Sequence, residues 1–413
     1  MADIKPFQCI RPAQELAKDV AALPYDVYSR SEACREVKGK PLSFLNIDRA
    51  ETQFDDSVDT YADVVYDKAK ELLDKEIADG TFVKDNSDAY YIYELTMDGR
   101  TQTGIVACAS IDDYIENRIK KHEKTRADKE LDRINHVDRT SAQTGPIFLA
   151  YRANEVINTV VAKVKEDNCL YDFTSEDEIR HRVWKMAEPE DVIAVRDSFA
   201  TINYIYIADG HHRAASAVKV GLKRREEHPG YTGEEEFNYF LSVPFPDEEL
   251  MIMPYNRVVK DLNGLDKEEF LESITKYFDV DEMGKKAFYP EQKGSFGMLL
   301  DNEWYLVTAK ESIMSEDPVD GLDVAILQDY LLTPILGIGD PRIDKRIDFI
   351  GGIRGLGELE RRVDTDMALA FSMYPTSIKE LFDVADADML MPPKSTWFEP
   401  KLRSGLFIHK IEE

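Results

Sequence analysis

The stretch Ile205–Ala217, IYIADGHHRAASA, constrains this chain more than any other. Its apolar, β-branched and aromatic start reads as a strand. From Arg213 onward, RAASAVKVGLKRREE reads as a helix, and Gly210 lets the chain turn between the two. A strand that ends at glycine and opens a helix aims backbone N–H groups and the positive helix end at one point. That point suits an anion, phosphate above all. Arg213 adds a forked donor matched to phosphate. His211 and His212 add donors or, when neutral, bases. Asp209 has three uses open to it: holding a magnesium ion, orienting a histidine or binding a hydroxyl. Ala214, Ala215, Ser216 and Ala217 let the helix lie close to a sheet or a ligand. Three readings stay open: a phosphate or nucleotide cradle, a structural turn with capping polar groups, and a metal site. Adjacent histidines point different ways on regular structure, which speaks against a metal held by both.

With 413 residues the chain calls for two or three domains, or one elaborate α+β body. The net charge of −28 repels nucleic acid and anionic membranes, so an anionic ligand needs a local cluster of Lys and Arg. The same charge also serves plain solubility. Cys9, Cys34, Cys108 and Cys169 are scattered and form neither a zinc knuckle nor a disulfide framework. Cys108 in GIVACASI reads as a small buried hydrophobe. MADIKPFQCI is not a secretory signal, and no apolar run is long enough to span a membrane. The expectation is a cytoplasmic protein without membrane or nucleic-acid partners, with homo-oligomerisation open.

Residues 57–78 predict an amphipathic helix with Tyr61, Val64, Val65, Ala69, Leu72, Leu73 and Ile77 on one stripe. AYYIYELTM and TGIVACASI predict paired strands around an Asp98-Gly99 turn. Asp112–Thr140 is intensely charged and fits a solvated helix, a mobile loop or the rim of a site. Beyond it come a strand in GPIFLAYR, a helix over 157–166, and a second helix beginning at Ser175, where Ser175 and Glu178 fit a capping box. NYFLSVPF and ELMIMPYNRVV predict strands. A helix over 266–277, a hairpin at Asp301-Asn302 and a final strand in GLFIHKI follow.

The motif DGHHRAASA resembles the signature of the ParB/sulfiredoxin superfamily, and its Asp-Gly-His-His-Arg form is most similar to ADP-dependent free-serine kinases. The whole chain also resembles a large prokaryotic family of unknown function (number one thousand and fifteen). That likeness runs through LPYDV, HEKT, DGHHR, PYNRVV and PPKSTWFEPKLRSGL. The resemblance implies an α+β fold of mixed sheets, with a ParB/sulfiredoxin-like nucleotide-binding core and additional α+β elaborations. The expected regions are 1–110, an N-terminal α+β region; 111–245, the nucleotide-binding core; and 246–413, a C-terminal α+β region. It further implies that a glutamate in a His-Glu segment acts as base on a substrate hydroxyl, which here is Glu123 after His122. The implied activity is a phosphotransferase interconverting L-serine and O-phosphoserine with ATP or ADP. Alternatives are a nucleotide-binding regulator and a phosphoester hydrolase.

The expected catalytic residues are Glu123, His211, His212 and Asp209, with Asp209 also the magnesium ligand. Nucleotide contacts are expected from Gly210, His211, His212, Arg213, Lys124 and Thr125, with Arg126, Lys129 and Arg133 as nearby cations. Asp26 in ALPYDV, Arg257 in YNRVV, and Lys394, Ser395, Thr396 and Lys401 in MPPKSTWFEPKLRSGL are the expected substrate contacts. GDPRIDKRIDFIGG fits a salt-bridged surface better than a ligand site.

Overall fold

In this computed structural model, residues 1–125 and 127–412 are described, the side chain of Asp128 excepted. Arg126 therefore lies outside the described residues. The chain forms two compact units, one of Met1–Leu250 with Pro400–Glu413, the other of Met251–Glu399. Both are α+β.

The first unit is built on a nine-stranded mixed sheet. Across it run Ile119–Lys120, Ile205–Asp209, Ile147–Tyr151, Tyr239–Pro246, Arg100–Ser110, Tyr90–Met97, Arg180–Met186 and Tyr171–Thr174, with Ile4–Lys5 also on Arg100–Ser110. Two neighbour pairs are parallel: Ile119–Lys120 with Ile205–Asp209, and Ile147–Tyr151 with Tyr239–Pro246. Residues 1–110 and 111–245 share this sheet through Arg100–Ser110, which pairs with both Ile4–Lys5 and Tyr239–Pro246. The expected hairpin is present, with Asp98 and Gly99 both at positive φ as a type I′ turn needs. Cys108 is fully buried. Ile92, Ile105, Leu149, Ile207 and Phe240 lie in one apolar core with Ala214, Ala217 and Val218 of the helix His211–Glu227.

The amphipathic helix is Asp63–Ala78 and buries Val65, Ala69 and Leu73. Tyr61 and Val64 stay exposed, and Tyr66 takes their place on the buried stripe. No helix begins at Ser175. Residues 175–178 are instead the turn of a hairpin between Tyr171–Thr174 and Arg180–Met186. Ser175 spends its hydroxyl on Asp177 and on the Ile179 carbonyl, and Glu178 sits at φ 63°, outside a helix. The sequence IRHRV alternates buried and exposed residues with the period of a strand, and that period overrides the local capping signal.

The second unit is a six-stranded antiparallel sheet in the order Phe278–Gly284, Glu303–Ala309, Ser295–Leu300, Leu369–Met373, Tyr255–Val259 and Ile347–Gly351. Val258, Leu299, Trp304, Ile350 and Ala370 form a core under the helix Gly355–Thr365. GDPRIDKRIDF is salt-bridged as expected, Arg342 to Asp340, Arg346 to Asp344 and Arg362 to Asp348. Among the described residues no helix is long and apolar enough to cross a membrane.

Candidate functional site

Strand direction explains how distant segments meet at the motif. Ile119–Lys120 runs parallel to Ile205–Asp209, so both strands end at the same edge of the sheet. Residues that follow them, His122 and Glu123 on one side and Gly210 and His211 on the other, are therefore delivered to one place. Ile147–Tyr151 runs antiparallel to the motif strand, so its start, Gly145-Pro146, arrives at that edge too. Ligand sites in α/β sheets favour this carboxyl end of parallel strands.

The motif strand closes on an irregularity. Ile207 pairs with Leu149 and Asp209 with Phe148, a register shift that places a bulge just before the turn. A bulge re-aims the side chain that follows it. Gly210 then adopts φ 95°, a conformation natural to glycine. A β-carbon there would also lie 3.1 Å from the Arg213 guanidinium, which folds back over the turn. The helix His211–Glu227 starts without a side-chain cap, so Gly210 leaves its first N–H groups to whatever approaches. Its small residues allow close approach to the helix Ala127–Thr140, where Ser216 donates to the Glu130 carbonyl at 3.0 Å.

Asp209 pairs with Lys401 at 3.0 Å. Burial works against its charge, but Lys401 and Arg213 outweigh it and hold the carboxyl well below the usual range. Lys401→Met is therefore expected to cost about 1–3 kcal/mol, a buried-pair loss reduced by partial exposure. Urea midpoints of the single and double variants with Asp209→Asn would show it. A purely additive double variant would mean the two groups do not interact.

His211 and His122 are both buried, their rings perpendicular with centroids 4.5 Å apart. His211 Nδ1 faces a Glu123 carboxylate oxygen at 3.7 Å. His122 Nδ1 and His211 Nε2 are buried without a hydrogen-bond partner among the described residues. Burial keeps both rings neutral, lowering His122 to about 4 and holding His211 well below the usual imidazole range. His212 acts electrostatically on both His211 and Glu130.

The motif arginine is engaged as well, donating to the Pro146 carbonyl at 2.6 Å. Thr125 donates to Glu130, Lys124 is exposed, and Asp26 is exposed on the short turn Tyr25–Val27. Arg257, Lys394, Ser395 and Thr396 all lie in the second unit, where Arg257 donates to the Lys394 carbonyl. Among the described residues no group of three or more His, Cys, Asp or Glu converges as a metal cage.

A buried polar cluster beside Arg213 was not foreseen from sequence. Arg133 lies 3.9 Å from the centre of the Tyr25 ring and pairs with Asp132 at 2.9 Å. Thr144 donates to Asp48, and His136 Nε2 lies 3.3 Å from the Ile47 carbonyl. Tyr25, Asp48, Arg133, His136, Thr144 and Arg213 line a space of about 30 Å³, enough for ordered water. The charge run that resembles a solvated helix thus carries one buried polar face: Glu130, Arg133 and His136 recur at helical spacing.

The site is a strand–turn–helix junction with an uncapped helix start, two cations, the carboxylates of Asp209 and Glu123 and a neutral imidazole, an arrangement able to take an anionic group. The chain belongs to the family described as "Protein of unknown function (DUF1015)", whose model matches residues 4–325. No curated protein matches it. Among solved structures it is similar to a mutant free serine kinase in complex with AMP, at 13% identity and TM-score 0.37, covering 74% of this chain and 91% of that one. A mutant free serine kinase in complex with ADP gives 13% identity and TM-score 0.37, covering 75% and 93%. A conserved hypothetical protein from Pyrococcus furiosus gives 14% identity and TM-score 0.34, covering 74% and 94%.

Proposed function

We propose that this chain is a small-molecule phosphotransferase that interconverts L-serine and O-phosphoserine with ATP/ADP or ADP/AMP, in a direction that can run toward serine. One observation carries the reading: Glu123 stands at the uncapped start of the motif helix, its carboxylate 3.7 Å from His211. A base for a hydroxyl and a cradle for polyphosphate are thereby side by side. Serine and the nucleotide pair come from the resemblance of the motif.

In the forward step the acceptor hydroxyl oxygen bonds to the terminal phosphorus as the bond to the bridging oxygen breaks, and the shortened nucleotide leaves. Glu123 takes the hydroxyl proton. The first N–H groups of the helix, Arg213 and Lys401 meet the charge on the phosphoryl oxygens. His211, neutral and buried against His122, fixes one side of the Glu123 carboxylate. Asp209 would hold magnesium, a Lewis acid for the transferring group; one carboxylate suits that ion where phosphate oxygens complete its shell.

The test is phosphorus NMR with magnesium, L-serine and ATP or ADP, and in reverse with O-phosphoserine and the lower nucleotide. A serine-dependent phosphoserine signal is expected. Free phosphate without phosphoserine would make the protein a hydrolase. No turnover with any pairing would sink the kinase reading.

A second reading, a nucleotide-binding regulator, is favoured by the Arg213–Pro146 contact, which already occupies part of the fork. Arg213→Lys separates a ligand role from a structural one. It is expected to weaken nucleotide binding about tenfold, because a point charge replaces a fork. Unchanged affinity in a calorimetric titration would leave Arg213 a clamp on the turn.

A further inference from the structure

The second unit holds a charge that its own residues do not balance. Arg257, on the strand Tyr255–Val259, is 3% exposed. It donates to two backbone carbonyls, those of Tyr255 and Lys394, the latter at 3.0 Å. Its guanidinium carbon stands 5.3 Å from the centre of the Phe349 ring. Among the described residues no carboxylate lies within 4 Å of it, whereas the other buried arginines, Arg133, Arg224 and Arg403, each have one. Guanidinium keeps its proton, and a buried charge without a counter-ion is costly. Burial brings its pKa down to about 10, and the Tyr255 hydroxyl opposes that only in part.

Arg257 is also not sealed in. It lines a cleft of about 380 Å³, within the range of small-molecule sites. Two local features, one in the cleft wall and one next to it in sequence, are unusual. Gln328 and Asp329 open a π-helical turn, Gln328–Leu332, a form that recurs at functional sites. Lys394 holds φ 60°, a left-handed conformation that is uncommon away from glycine, while its carbonyl accepts from Arg257. Across the cleft, Asp340 is occupied by Arg342 through hydrogen bonds from Nε and Nη2.

We infer that this cleft binds a small oxyanion, a carboxylate or a phosphate, which supplies the counter-charge of Arg257. Two parallel N–H···O contacts are the geometry a guanidinium offers such a group. The inference stands apart from the nucleotide reading, since every residue used lies in Met251–Glu399.

Calorimetric titration of the whole chain with inorganic phosphate and, separately, with succinate tests it, each against chloride at equal ionic strength. The two arms distinguish the phosphate source from the carboxylate source. One of them is expected to bind more tightly than chloride, with its dissociation constant raised at least tenfold by Arg257→Met. Arg342→Glu, an exposed change at the mouth that spares the buried charge, is expected to raise it several-fold. The second variant decides the matter alone should the first not fold. Binding by neither anion overturns the proposal, as does an affinity that Arg342→Glu leaves unchanged.

Discussion

Replacing Glu123 by Gln is expected to cut serine-dependent turnover by about 10²- to 10⁴-fold, the usual worth of a positioned general base. That is ~3–5 kcal/mol on the barrier. The side chain is 41% exposed, so the isosteric change leaves packing untouched and the unfolding midpoint should not move. The effect belongs in kcat, because the amide still fills the space beside His211 but takes no proton. Steady-state kinetics of the purified variant would show the split. A variant with full kcat would remove Glu123 from the chemistry and leave the junction as a binding device.

The second large effect concerns acid. His122, His136 and His181 are all buried in the first unit. Burial lowers His122 to about 4; burial, aided by the charge of Arg403, lowers His181 to about 3; and burial, aided by Arg133, lowers His136 as well. The contacts of His181 show why. Its Nδ1 meets the Tyr93 hydroxyl at 2.8 Å, and its Nε2 accepts from Arg403 at 3.3 Å, leaving no place for a second proton. Each ring stays neutral in the fold and takes a proton once the chain unfolds. The folded state is therefore fully favoured above about pH 6.5 and loses ground as pH falls toward the lowered values. Glu76 and Asp323, each raised by burial to about 7, work in the opposite sense and offset part of the loss. A net loss of a few kcal/mol between pH 7 and pH 4 is expected, a large share of the stability of many domains. Denaturant unfolding across that range would test it, and a flat profile would mean the rings are not held neutral.

Much of the fold is legible in the sequence where one local signal stands alone. The Asp98-Gly99 hairpin, the helix ending at Asp79-Gly80 and the strand–turn–helix at Gly210 each follow from residues that need a special backbone angle or a clear period. Ser175 misleads because a capping box and a hairpin turn use the same side chains, and only the alternation downstream decides. The site is legible in part. Glu123, Asp209, Gly210, His211 and Arg213 meet, and Lys401 joins them by its pair with Asp209 across 192 residues of sequence. No periodicity could foretell that pair. The Tyr25–Arg133 stack escapes for another reason: in so charged a segment, composition hides the buried face of the helix. Arg257 is a third case, since its lack of an acid partner is visible only in three dimensions.

The division of the chain has a consequence for its synthesis. Met251–Glu399 is threaded between two pieces of the first unit, and the later piece, Pro400–Glu413, carries Lys401, Arg403, Ile408 and His409. Ile408 bridges to Ile10, Arg403 closes onto Asp177, and Lys401 reaches Asp209. On the ribosome, then, the insert emerges whole before residues 400–413 reach the body around it. Until that segment is made Asp209 has no cation from residue 401, so a chain stopped within the insert carries the motif without the lysine that pairs with it.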